Sequence, residues 1–559
     1  MFLDSLKTQF SQLKKSEIFI NSLIIYLLII FFQLFKDILL SINTGVFLSF
    51  REYLRIFLSP ILFLVIPILT PRFTKIYTIL IAIGFSTTAF LTISHIMLYG
   101  SDLSPSVYYA IWETNIKEAS DYISDYFNFK SIVLILVIIG ISIFSIYNLK
   151  QFKKNSVERS KLITVAFLFL ILSLVSQDYK NTLPFNFIRN FYKYKSELKE
   201  FKSQIEIRKQ NNYINLNPIH CIDTTSNTII LVIGESASKY HQGLYGYVRQ
   251  TNPLLSKIKD ELYIYTDVIA PHSHTNPVLS KVLSFANHES MQSLYQNRSL
   301  IEYMNDAGYY TCWLSNQQFA HKYTSISTSI AIQSDFYVFT HSNVNKKKQS
   351  YDGKLLKPLK QVLKNKSKKK FIVLHLMGSH SDKQDRFPKE FKQFQDTTNL
   401  PNKSYISSWD KYLINSHDNS VLYTDWLLNE CIELLRNQAP NSALLYFSDH
   451  GEEMFEYRNF FGHGEGNSSI YMFDIPFILW LSDGYKIHHA EMTSDLANQL
   501  NRKYQTDDLI HSIIDLSTCY SDDFDASRSI FNSEFKFRKR IMGNQDYDEL
   551  IKTKKSITD

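Results

Sequence analysis

At 559 residues the chain exceeds one ordinary domain and can bury a sizeable core. Its formal net charge of +7 is modest for that length and spread along the chain, which argues against nucleic-acid binding. Hydropathy is uneven instead: apolar runs crowd the first third, and the remainder reads as a mixed soluble protein.

In chain order, five runs are membrane-span candidates: residues 18–35, 56–70, 76–99, 132–149 and 162–177. A span needs about 20 apolar residues. The second run is short and carries Pro60 and Pro67, so it is expected to extend upstream or to kink. The first lacks a small-residue cleavage site and is followed by further spans, which excludes a cleavable signal peptide. Basic residues in short loops set the orientation. Lys7, Lys14 and Lys15, then Arg72 and Lys75, then Lys150, Lys153, Lys154, Arg159 and Lys161 fall on one side of a five-span bundle, the cytoplasmic side. The acidic loop 101–130 and everything after the fifth span then lie outside. Residues 1–178 read as the membrane domain, 179–226 as a polar connector with a surface helix over 192–208, and 227–559 as an extracytoplasmic domain.

Beyond residue 227, strand-like runs at 228–233, 309–314, 371–376, 443–447 and 477–481 alternate with helical patterns at 276–284, 300–307, 418–436 and 494–504. That alternation predicts an α/β domain whose mainly parallel sheet is sandwiched by helices. The basic clusters 346–348 and 364–370 read as solvated loops, with contact to anionic head groups as the sharper alternative. The four cysteines, Cys221, Cys312, Cys431 and Cys519, lie far apart and form no CxxC. Cys312 and Cys431 sit in apolar runs as core residues, and the spacing demands no disulfide.

Chemistry-bearing residues gather where strands should end. The run 443–447 gives way to Ser448-Asp449-His450-Gly451, and the run 228–233 to Gly234-Glu235-Ser236. Further candidates are His272-Ser273-His274-Thr275-Asn276-Pro277, His375 through His380, and Phe461-Gly462-His463-Gly464. The C-terminal ends of parallel strands are where ligands collect. Carboxylates together with neutral imidazoles suit zinc, and a metal that keeps an open position activates a hydroxyl. Taken singly, each piece has a plain structural role: Glu235 as a salt-bridge partner, Thr275 as a helix cap.

Together these motifs resemble the alkaline phosphatase and sulfatase superfamily. More closely, the chain resembles the membrane-anchored phosphoethanolamine transferases that modify lipopolysaccharide. Gly234-Glu235-Ser236-Ala237, then Leu244-Tyr245-Gly246-Tyr247 and Thr251-Asn252-Pro253, are similar to that family's first metal-binding signature. The resemblance implies a zinc held by Glu235, Thr275, Asp449 and His450, with Thr275 the nucleophile that carries phosphoethanolamine. It implies that His380 and His463 hold the phosphoryl group and assist proton transfer, with His375 a weaker candidate. A second zinc is held near such histidines in some members. Thr114 and Glu118, within Glu113-Thr114-Asn115-Ile116-Lys117-Glu118-Ala119, resemble residues that bind the donor lipid. Ala110 replaces an Asn of that donor segment, and the closely spaced disulfides of lipid A-modifying members are not possible here. The run 274–285 and the tail 531–548 look more like the branch acting on core sugars.

The resemblance therefore implies an inner-membrane, multi-pass enzyme with its catalytic domain in the periplasm. Its donor would be phosphatidylethanolamine and its acceptor lipopolysaccharide, on a core sugar or on lipid A. A sulfatase needs Cys or Ser in a C/S-x-P-x-R phrase, whereas here the phrase is Thr275-Asn276-Pro277-Val278-Leu279. A phosphoglycerol transferase or other metal-dependent phosphoester enzyme of the same superfamily, and a non-catalytic envelope membrane protein, are the remaining alternatives.

Overall fold

The protein is described here from a computed structural model, which describes residues 17–44, 48–99, 102–103, 129–151, 159–210, 216–318 apart from 224, 325–341, 350–380, and 383–558 apart from 402, 457, 465–467 and 543–544. The chain divides into two compact units, with the boundary near residue 195.

All five apolar runs of the first unit are largely helical: α1 (Glu17–Thr44) carries the first, α2 (Phe50–Leu58) opens the second, and α3 (Thr74–Tyr99), α4 (Phe129–Tyr147) and α5 (Arg159–Ser176) carry the other three. Among the described residues, three stretches are long and apolar enough to cross a membrane: Glu17–Ile42, Phe50–Leu69 and Pro71–Met97. Ile132–Tyr147 and Ile163–Ser176 are shorter apolar helices, so the expected count of five full spans is not reached on length. The second stretch both extends upstream and bends. Ser49 caps α2 in a capping box with Glu52, and at Pro60 the backbone tightens into a 3-10 turn (Ser59–Leu64) before Val65–Leu69 resumes α-helix. Proline lacks the N–H that a continuous helix requires there, which accounts for the change of pitch. A further helix, α6 (Leu183–Gln210), covers the expected surface helix.

The second unit is built on seven strands: β1 (Asn227–Gly234), β2 (Leu262–Tyr265), β3 (Tyr310–Gln318), β4 (Phe336–His341), β5 (Lys369–His375), β6 (Ser442–Ser448) and β7 (Phe477–Leu481). Their order is β2-β7-β6-β1-β5-β3-β4. β6, β1, β5, β3 and β4 pair in parallel, while β7 runs antiparallel to both β6 and β2. The sheet is therefore mainly parallel, as expected, and mixed only through the one reversed strand β7. The β1 run is apolar without a break because both faces are covered. Ile229, Leu231 and Ile233 face one core, shared with Val278, Leu279 and Val282 of α7 (Thr275–Val282). Ile230 and Val232 face the other, shared with Leu427, Leu428, Cys431, Ile432 and Leu435 of α8 (Ser408–Gln438). Helices thus sandwich the sheet, with α7 and α8 on opposite faces. Cys312 and Cys431 are free and buried, as core residues should be.

Two expectations differ from the structure. Residues 494–504 form no continuous helix: a 3-10 turn at Leu496–Gln499 is followed by Tyr504–Gln505, which pairs in parallel with Val268–Ile269. Asp495 accepts hydrogen bonds from the Asn498 and Gln499 side chains, a local alternative that favours turns over helix. Cys221 and Cys519 form a disulfide across the antiparallel pair His220–Cys221 and Cys519–Tyr520, at a sequence separation of 298. Spacing along the chain carries no signal of a bridge that only the fold brings together.

Candidate metal centre

β1 and β6 are parallel neighbours in register, Gly234 opposite Ser448, so the next residues emerge side by side. These are Glu235 on one strand and Asp449-His450 on the other, all fully enclosed by protein. The chain turns sharply at each exit. Ser236 takes a left-handed φ of 54°, held by its N–H donating to Asp449 Oδ1 (3.1 Å) and its hydroxyl donating to Glu235 Oε1 (2.8 Å). Such a conformation in a non-glycine residue is costly and concentrates at functional sites. The β5 exit packs on the same turn. Ser379 N–H donates to the Glu235 carbonyl (2.8 Å), and Gly378, with φ +51°, approaches so closely that a Cβ there would lie 2.8 Å from Glu235 N and O.

The acceptor groups of Glu235, Asp449 and His450 converge within 4.8 Å of one another. His450 Nδ1 is 2.8 Å from the Gly451 carbonyl, and this bond directs Nε2 toward Glu235 Oε1 (3.4 Å) and Asp449 Oδ2 (3.7 Å). Asp449 Oδ1 accepts from the Ser236 and His450 amides, whereas Oδ2 is buried without a hydrogen-bond partner. Burial and the neighbouring Glu235 charge push the Asp449 carboxyl up to about 7. Burial pulls the His450 imidazole down, but Asp449 and Glu235 outweigh it and raise it to about 9. Two enclosed carboxylates sharing one imidazole lack positive charge. An orphaned Asp449 oxygen and an Nε2 held toward it are what a divalent cation would satisfy, so these residues fit a metal ion.

Thr275 opens α7 at the rim of this cluster, and its hydroxyl donates to Glu235 Oε2 at 3.0 Å. The structure therefore brings together all four residues that the motifs suggested as ligands. His463 reaches the same place, its ring centroid 4.2 Å from that of His450 and 5.4 Å from that of His274. Burial lowers the His380 imidazole to about 4 against the opposing pull of Glu235, with Arg386 and Lys383 adding to the lowering. His463 is also lowered, by burial and then by His450. Both are neutral at pH 7. His375 ends β5 with Nε2 buried and unpartnered, lowered to about 4 by burial. Thr114 and Glu118 lie outside the described residues.

Sequence reasoning missed one pair. Lys383 Nζ and Glu452 Oε2 form a buried ion pair at 2.5 Å, and Glu452 Oε1 lies 3.6 Å from His463 Nδ1. Burial raises the Glu452 carboxyl, but Lys383 outweighs it and holds the group down at about 2. Glu452 was findable, since it follows the Asp449-His450-Gly451 turn directly. Lys383, in a polar loop, gave no signal.

A mixed sheet that gathers two carboxylates and an imidazole at adjacent strand ends, beside a helix-opening hydroxyl, has the architecture of an α/β enzyme whose site could hold a metal ion. The family model that matches is Sulfatase, over residues 227–518. Phosphoethanolamine transferase EptC of Escherichia coli O18:K1:H7 is 30% identical over 525 residues, 88% of this chain and 89% of that one. The crystal structure of the C-terminal periplasmic domain of E. coli EptC in complex with Zn is similar at 31% identity and TM-score 0.57, covering 60% of this chain and 96% of that one. The integral membrane lipooligosaccharide phosphoethanolamine transferase A of Neisseria meningitidis shares the fold at TM-score 0.63 and 19% identity, over 90% of this chain and 97% of that one. The chain belongs to the sulfatase family and, within it, to the membrane-anchored phosphoethanolamine transferases.

Proposed function

We propose that this enzyme transfers phosphoethanolamine from phosphatidylethanolamine to lipopolysaccharide through a phospho-threonine at Thr275. The observation that carries the reading is the Thr275 hydroxyl, donating to Glu235 Oε2 at 3.0 Å beside the enclosed Glu235, Asp449 and His450. Glu235, Thr275, Asp449 and His450 would hold one zinc ion. When bound, zinc would lower the pKa of the threonine hydroxyl and offset charge on the phosphoryl oxygens. Thr275 Oγ1 attacks phosphorus, its proton passing along the hydrogen bond to Glu235 Oε2. The new O–P bond forms as the bond to diacylglycerol breaks, and the departing alkoxide takes the proton held at Glu235 by relay through a neutral His380 or His463. An acceptor hydroxyl then attacks the same phosphorus as the Thr275 O–P bond breaks, and the acceptor's proton returns by the same relay to Thr275 Oγ1. Thr275 also stands at the start of α7, where the helix dipole favours an anionic group.

The apolar helices anchor the site in this reading, as a multi-pass inner-membrane segment up to residue 178. A connector to 226 leads to a periplasmic catalytic domain over 227–559. Two lipid substrates then meet the site at one surface, which raises their effective concentration. Thr114 and Glu118 are assigned to the donor headgroup, and a core sugar of lipopolysaccharide is the favoured acceptor. Mass spectrometry of the protein incubated with phosphatidylethanolamine should find phosphoethanolamine on Thr275, absent in Thr275→Ala. No adduct from phosphatidylethanolamine alongside a phosphoglycerol adduct from phosphatidylglycerol, or full transfer by Thr275→Ala, overturns the scheme. Mass spectrometry of lipopolysaccharide from cells with and without the protein locates the acceptor group.

A further inference from the structure

A second cluster of metal-ligating side chains shares no residue with the first. The turn Lys239–His241, downstream of β1, carries His241, and α8 carries His417 and Asp418. All three are buried, and one ligand atom from each lies within 4.8 Å of the others. His241 Nδ1 is 2.7 Å and His417 Nδ1 3.9 Å from the same oxygen, Asp418 Oδ1. The second oxygen of Asp418 is already occupied, accepting from Arg249 Nη1 at 2.9 Å and from the Tyr247 hydroxyl at 3.0 Å. On the far side of the His241 ring, Nε2 faces Glu456 Oε1 at 3.8 Å, and that oxygen is buried without a hydrogen-bond partner.

His417 is the residue that ordinary packing does not explain. Its ring is wholly enclosed, yet neither Nδ1 nor Nε2 has a hydrogen-bond partner. A neutral imidazole carries one donor and one acceptor, and burying both unpaired forfeits the hydrogen bonds that each would make with water. An imidazolium at His241, bridging Asp418 and Glu456, accounts for that ring. It does nothing for His417, which it would repel. A cation placed among the three supplies the missing partner. Two imidazoles and a carboxylate are the donor set of zinc, whose bonds of about 2.0–2.1 Å place tetrahedral ligand atoms about 3.3 Å apart. The observed 2.7 and 3.9 Å straddle that separation. Glu456 then takes the place of the outer carboxylate that commonly orients a ligating histidine through its other nitrogen, and Arg249 with Tyr247 fixes the ligating carboxylate.

We propose that His241, His417 and Asp418 hold a zinc ion distinct from the catalytic metal, with Glu456 as the outer-shell partner of His241. The ion ties the chain leaving β1 to the middle of α8. The proposal does not rest on the transfer reaction.

The test is the zinc content of the full chain, purified in detergent without chelator and dialysed against metal-free buffer. His417→Gln should lose one equivalent relative to the unsubstituted protein, and His417→Gln combined with Asp449→Asn should lose more than either alone. Unchanged zinc in His417→Gln overturns the proposal, as does zinc at this site that dialysis removes, which is an adventitious ion only. Should His417→Gln not fold, zinc-edge anomalous diffraction from the unsubstituted protein decides. A peak among His241, His417 and Asp418 supports the site, and a peak at Asp449 and His450 with none here refutes it.

Discussion

Removing a ligand should stabilise this protein once its metal has been taken away. Asp449 is enclosed beside Glu235, and its carboxyl is raised from 3.8 to about 7. The folded state therefore holds a proton that the unfolded state releases between about pH 4 and pH 7, so metal-free stability falls as pH rises through that window. At about 1.4 kcal/mol per unit, the ionised carboxylate costs the metal-free fold roughly 4 kcal/mol at pH 8, and less than half of that at pH 5. Asp449→Asn abolishes the charge. Its amide oxygen can keep the bonds from the Ser236 and His450 amides, and its NH2 can donate toward Glu235. With an unfolding entropy of about 2 cal/mol/K per residue over a unit that runs from residue 196 to the end, the gain is roughly 6 °C at pH 8. The assay is thermal unfolding of chelated Asp449→Asn and chelated unsubstituted protein at the two pH values. The variant should melt higher at pH 8, with the advantage cut by more than half at pH 5. A variant that melts lower than the unsubstituted protein at both pH values refutes the electrostatic account of the site.

Three further outcomes follow from the geometry. Gly378→Ala places a Cβ 2.8 Å from the Glu235 backbone at a φ of +51°, so it should cost about 1–3 kcal/mol and reduce bound metal; unchanged melting and metal content would count against the packing described. Lys383→Met strands the Glu452 carboxylate in the interior at a cost of about 3–5 kcal/mol, and adding Glu452→Gln should restore most of it; a double variant no more stable than the single one contradicts the pairing. Cys519→Ser opens a crosslink between residues 298 apart and should cost about 2–5 kcal/mol in thermal unfolding, an effect that reductant should reproduce in the unsubstituted protein; equal midpoints with and without reductant would refute the bridge.

The central strands were legible because strands covered on both faces must be continuously apolar, as 228–233 and 443–447 are. β7 was legible as a strand but not in its direction, which depends on pairing with β2 and β6 rather than on composition. β2 and β4 are edge strands, and a half-buried four-residue stretch such as Leu262–Tyr265 carries too little pattern to stand out. At the site, Glu235, Asp449 and His450 were legible because strand-end motifs concentrate ligands. Lys383 was not, since it matters through Glu452, a partner distant in sequence. His241 and His417 escaped for the same reason: a lone histidine in a turn and another within a helix become a pair only when the chain leaving β1 and α8 are packed together.

The spacing of the first metal cluster along the chain has a consequence for how the protein matures. Thr275 lies 40 residues beyond Glu235, and Asp449 lies 213 residues beyond Ser236. An unfolded chain offers a passing ion little more than the Asp449-His450 dipeptide. Tight metal capture is therefore a property of the finished sheet, available only after β6 has docked beside β1. The ion is acquired where folding is completed, and metal occupancy becomes a readout of correct strand order.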